Sequence, residues 1–295
     1  MEVTMTEKLA DRAMMVSLHQ RAWQGNVRDD DISSTMVDHY GAEPGTIKAI
    51  KSLTPISYVK PIIVTANYGR REHYHLTVPG FVKGQQLLAT KVYERYVGTQ
   101  QAIQSEFEDR VKKFIDIYPD ILASAPQRLN KAYKEEDFPT VKQIATYFEY
   151  AVNFSPVPNI DDWRLDGLGK ENETDVRLKA ENRVRSMYDN AVQEMFRRAH
   201  EVLSKIAKQA DEYEDTKGGL KDVTIKNLHD MTELVLSMNI TNNPLLVEIG
   251  NEMRDSFAGL DGKELRTNAD LRESISDRAK RILDQIKSGS IQEAA

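Results

Sequence analysis

The chain has 295 residues, 40 Lys and Arg against 46 Asp and Glu, a net charge of −6, and no cysteine. A hydrophobic share of 40% suffices for a buried core and argues against global disorder. The missing thiols exclude disulfides, Cys-held zinc, iron–sulfur clusters and a cysteine nucleophile, and no apolar run approaches the length of a membrane span.

The start, Met1 to Lys8, is polar and acidic, which is wrong for a signal peptide and points to a cytoplasmic protein. Residues 6–23 read as a first helix, capped by Thr6, with Leu9, Ala13, Val16 and Trp23 on its apolar stripe. Gly25-Asn26 ends it. Asp29-Asp30-Asp31 is either a cation site or a set of caps for a helix over 31–40, and capping is the better reading. A short helix is predicted over 46–53, stopping before Pro55, and another from Pro61, a residue suited to the first helical position. Tyr74–Val78 fits helix or strand. Pro79-Gly80 and Gly84 bracket a loop holding Phe81 and Lys83.

A long amphipathic helix is predicted over 86–118, ended by Pro119, then one over 120–135 kinked or broken at Pro126. A third starts at Asp137-Phe138-Pro139-Thr140. Tyr147–Phe154, aromatic and β-branched, is the best strand candidate, with Trp163-Arg164-Leu165 as a short partner. Gly167 and Gly169 mark a boundary between a helical domain with a small β element, 1–166, and a C-terminal domain, 167–295. The second opens with a charged amphipathic helix from Glu171 to about Tyr213, ~60 Å long at 1.5 Å per residue. Such a length implies packing along it, within the chain or across a dimer. After a Gly218-Gly219 turn, helices are predicted near 222–238, 243–258 and 264–287, and a mobile tail from Ser288. The fold class expected is mainly α with a small β element, ending in a long helix and a helical bundle.

Charge is unevenly placed. Residues 1–44 carry a net −4 and residues 101–295 a net −8, whereas residues 45–100 carry eight cations against Glu72 and Glu94, a net +6. That stretch also holds Tyr58, Tyr68, Tyr74, Phe81, Tyr93 and Tyr96. Cations attract phosphates with a salt-dependent affinity, and rings stack on the bases of a single strand at about 1–3 kcal/mol each. A duplex hides those base faces, so cations with rings favour single strands. The candidate nucleic-acid contacts are Lys60, Tyr68, Arg70, Arg71, His73, Tyr74, Phe81, Lys83 and Lys91. Against this, Tyr93 and Tyr96 also fit a helical core stripe, and the cations also fit an ordinary solvated face.

No catalytic constellation emerges. The P-loop, dinucleotide, HExxH and GxSxG patterns are absent. His73 and His75 would share a face of a strand but diverge by about 200° on a helix. With only Glu72 beside them, contact with phosphate or base, or helix capping, is a better reading than metal. No cofactor, metal or catalytic residue is assigned, and a nuclease working through carboxylates is the least favoured class. A helical scaffold, docking a partner protein through the long helix and C-terminal helices, is the main alternative to nucleic-acid binding.

Several strings go further. Leu9-Ala10-Asp11-Arg12-Ala13-Met14-Met15-Val16-Ser17-Leu18 with Trp23, Tyr118-Pro119, Asp137-Phe138-Pro139-Thr140, Phe154-Ser155-Pro156-Val157-Pro158 with Asp162-Trp163-Arg164, and the stretch Arg71 to Pro79 resemble a family of phage proteins of unknown function. The match covers roughly residues 8–166. Within that family the chain is similar in size, helical content and lack of cysteine to the phage single-stranded-DNA-binding RNA polymerase cofactors of the Drc type. The resemblance implies a helical fold unlike an OB barrel, a homo-oligomer (dimer or tetramer), preference for single-stranded DNA, recruitment of a phage RNA polymerase to melted promoters, and residence in the infected bacterial cytoplasm. The acidic tail of common single-strand-binding proteins is missing, since the last eight residues hold only Glu293. Partner contact is therefore expected from a folded surface.

Overall fold

The structure is a computed structural model. It describes residues 9, 11–81, 83–157, 170–213 and 220–293, without the side chains of 170–173 and 289–293. In chain order come β1 (Ala13–Arg21), β2 (Asn26–Asp29), α1 (Asp30–Tyr40), β3 (Ala49–Ser52), α2 (Ile56–His75), β4 (Val78–Pro79), β5 (Gln86–Ala89), α3 (Tyr93–Leu129), α4 (Val141–Ile144), β6 (Glu149–Ser155), α5 (Lys170–Asp211), α6 (Asp222–Ser237), α7 (Pro244–Phe257), α8 (Gly262–Thr267) and α9 (Ala269–Glu293). The fold is mainly α with a small β element. Its sheets are β4-β5-β1-β6 and β2-β3.

Several local expectations give way to the fold. Ala13–Arg21 is a strand, not a helix: Ala13 lies opposite Ala89 and Met15 opposite Leu87, on the fully buried β5. So short an apolar stripe fits either period, and the buried partner decides. Ala49–Ser52 is likewise a strand, paired antiparallel with Asn26–Asp29. The helix predicted from residue 86 begins at Tyr93, because Gln86–Ala89 joins the sheet. That helix then runs through Pro119 and Pro126 to Leu129. Each proline removes a helical hydrogen bond. Burial of Phe114, Tyr118, Ile121 and Ala125 outweighs the loss. Around 288, where a mobile tail is expected, the backbone of α9 stays helical to Glu293. Trp163-Arg164-Leu165 and Gly218-Gly219 lie outside the described residues.

Local signals hold where caps are strong. Asp29 caps α1, accepting from the Ile32 N–H at 3.0 Å. Thr140 and Gln143 form a reciprocal capping box on α4. Asn243 caps α7, with Pro244 in its first turn.

The described residues fall into two compact units. A central unit takes 18–73 and 97–153; a C-terminal unit takes those within 1–17, 74–96 and 154–295. The sequential division at 166/167 thus differs from the spatial one. Each passage of the chain from one unit to the other falls inside β1, α2, α3 or β6 rather than in a linker.

The central unit has an aromatic core. Val59, Ile62 and Ala66 of α2 meet Ile103, Phe107, Phe114, Tyr118 and Ile121 of α3, with Ile144, Phe148 and Tyr150. Phe107 and Tyr150 lie 5.5 Å apart by ring centres, and Trp23 sits 5.9 Å from both Phe114 and Tyr118. In the C-terminal unit, α5 buries Val184, Met187, Ala191, Met195, Ala199 and Ile206, as its periodicity predicts, and Leu203 besides, whereas Val176 and Leu178, expected on the same buried side, are exposed. Arg198 of α5 donates to the carbonyls of Tyr74, His75 and Thr77 at 2.8–3.0 Å, held by Glu194 at 2.7 Å. Burial would raise the Glu194 pKa, but its bonds to Arg197 and Arg198 hold it below the usual value.

Candidate nucleic-acid interface

Positions 60, 64, 68 and 71 recur at helical spacing, so α2 turns these residues to one side and its core residues to the other. Val59, Ile62, Thr65, Ala66, Gly69 and His73 are buried. Lys60, Val64, Tyr68, Arg70, Arg71 and Tyr74 face solvent. From Lys60 to Arg71 this outer face spans about 17 Å along the axis. Tyr68 is 41% and Tyr74 49% exposed. The Arg71 guanidinium lies over the Tyr68 ring, 4.8 Å from its centre, a cation–π pair at the surface. Arg71 also approaches Glu72 at 3.4 Å. Lys60 and Arg70 have no ionic partner among the described residues.

A buried relay fixes the inner side of α2. The Tyr150 hydroxyl donates to Gln100 Oε1 at 2.5 Å, and Gln100 Nε2 donates to the Gly69 carbonyl at 3.2 Å. Gly69 permits this approach, since a Cβ there would stand 2.1 Å from the Tyr150 hydroxyl oxygen. Burial pushes the Tyr150 pKa up to about 12, so the hydroxyl remains a donor.

Other candidates are placed differently. His73 is only 2% exposed, and burial lowers its pKa to about 4, so it is a neutral core residue and leaves the proposed contact set. In the C-terminal unit, Phe81 is half-buried and Lys83 and Lys91 are exposed. The nine candidates thus divide between the units: Lys60, Tyr68, Arg70, Arg71 and His73 in one, Tyr74, Phe81, Lys83 and Lys91 in the other. Of the remaining rings, Tyr96 is buried, whereas Tyr58 and Tyr93 are exposed. Tyr58 lies on α2 as well, half a turn before Lys60.

The positive stretch also loses Lys51 to the interior. Its ammonium lies 2.7 Å from Asp29 Oδ2, 2.5 Å from Asp137 Oδ2 and 2.8 Å from the Ala132 carbonyl. Burial alone would lower the Lys51 pKa; the bonds to Asp137 and Asp29 overcome this and raise it. Asp29 is held below the usual carboxylate range, first by the Ile32 N–H and then by Lys51. The acidic cluster therefore provides a helix cap and an internal counterion.

Among the described residues, no three His, Asp or Glu side chains gather as a metal ion would require. No helix among them is long and apolar enough to cross a membrane. No family model, curated protein or solved structure matches the chain.

Proposed function

We propose that the chain binds single-stranded nucleic acid, DNA in preference to RNA, through the outer face of α2. Lys60, Arg70 and Arg71 contact phosphates, and Tyr68 stacks on a base. The observation that supports this most is the Tyr68–Arg71 pair: a cation standing over a ring that is itself open to solvent, on a helix bearing further cations. The reading extends to a phage transcription cofactor, a homo-oligomer that brings an RNA polymerase to melted promoters; this part rests on the sequence resemblance alone.

Fluorescence anisotropy with single-stranded DNA, duplex DNA and RNA of equal length, at moderate salt, tests the binding. Single-stranded DNA should bind most tightly, and Arg70→Ala with Arg71→Ala should weaken it. No binding to any probe, or unchanged affinity in the folded double variant, overturns the assignment. Val176 and Leu178, exposed on α5, favour a second reading in which that helix docks a partner protein. Retained capture of a partner polymerase without any nucleic-acid binding would decide for the scaffold.

A further inference from the structure

Within the C-terminal unit, α6, α7 and the start of α3 line an open cleft of about 570 Å³. Its side walls depend on close helix packing: a Cβ at Gly250 of α7 would lie 2.5 Å from Leu236 of α6. Three cations from three elements line it, Lys91 from the turn before α3, Arg95 from the first turn of α3, and Arg254 from the last turn of α7. Glu233 is the only carboxylate in the lining. In a chain of net charge −6 this is a local reversal of sign. Lys91 has no ionic partner among the described residues. Arg95 is tied only loosely to Asp230, at 3.8 Å, and Arg254 bonds the neutral Asn251.

The rest of the lining is chiefly apolar, with Val92, Leu236, Met253 and Phe257 beneath the cations. His229 also lines the cleft, its Nε2 3.2 Å from the Leu260 carbonyl, which can only accept, so Nε2 donates there. The cleft volume falls in the range of small-molecule sites, about 300–1,000 Å³. Guanidinium forks match the oxygens of phosphate.

We propose that this cleft binds a small phosphate monoester with an apolar or aromatic body, a nucleoside monophosphate being the simplest probe. The phosphate sits among Lys91, Arg95 and Arg254, and the body rests on the apolar floor. The site goes beyond the single-strand reading and stands or falls separately from it.

Isothermal titration of the full chain with AMP, adenosine and inorganic phosphate tests it. AMP should bind at least about tenfold more tightly than either fragment. Arg95→Gln with Arg254→Gln should reduce AMP affinity by about tenfold or more, with an unchanged thermal melt, because both side chains are exposed. Glu233→Gln should act in the opposite direction and tighten AMP a few-fold. Arg70→Ala with Arg71→Ala should leave AMP binding intact, which separates this result from the single-strand assay. AMP heats no larger than those of adenosine, or equal affinity in the Arg95/Arg254 variant, overturn the proposal.

Discussion

The β2–β3 pair and the outer face of α2 draw their cations from the same positive stretch of sequence. In the first, Lys51 is enclosed by two carboxylates and a carbonyl. In the second, Lys60, Arg70 and Arg71 stand in water, and Arg71 has a tyrosine ring beneath it. A buried ammonium loses its hydration and must be compensated by the fold, so its removal is a stability event. An exposed guanidinium stays hydrated and contributes little to folding, so its removal is a binding event. Net charge over a window of sequence does not distinguish the two.

The sharpest way to break this contrast is Lys51→Met. It strands Asp29 and Asp137 and should destabilise the chain by about 3–5 kcal/mol in urea unfolding; a loss below 1 kcal/mol would mean that the buried pair does not hold the β2–β3 region. Next comes acid. His73 has a folded pKa of about 4 against an ordinary 6.5, so its contribution is complete above 6.5 and is lost as pH falls through 4. That loss should reach up to about 3 kcal/mol and disappear in His73→Leu. The depressed Asp29 carboxyl acts at lower pH: its contribution is present above its ordinary value of 3.8 and is lost as pH drops below it. Acid unfolding followed by circular dichroism should therefore keep this later phase in His73→Leu.

Gly69→Ala is smaller. The added methyl meets the Tyr150 ring and should cost about 1–3 kcal/mol despite the better helix propensity of alanine. The least effect on folding belongs to Arg70→Ala with Arg71→Ala, within about 0.5 kcal/mol. The same variant should flatten the log–log salt dependence of single-strand binding by about 1.4, near 0.7 per lost phosphate contact. A melt lowered as much as that of Gly69→Ala would erase the distinction between the two regions.

What could be read from the sequence follows the range of the forces involved. Caps are local: Thr140 with Gln143, and Asn243 with Pro244, announce α4 and α7 within a few residues. Strand partners are distant. Nothing near Met15 names Leu87, and nothing near Lys51 names Val27, so β1 and β3 resemble short helices until the sheet is assembled. Pro119 and Pro126 show local rules overruled by the burial of Tyr118, Ile121 and Ala125. The candidate interface was legible as a composition but not as a surface. Tyr93 and Tyr96 both fit a core stripe in the sequence, and only packing turns one outward and seals the other within.

The chain passes between its two units inside β1, α2, α3 and β6. Single-cut truncations therefore sever a strand or a helix before they isolate either half. Mapping a ligand by progressive shortening would report collapse instead of location. Point substitutions on surface side chains, which leave every hydrogen-bonded ladder whole, are the appropriate way to dissect this molecule.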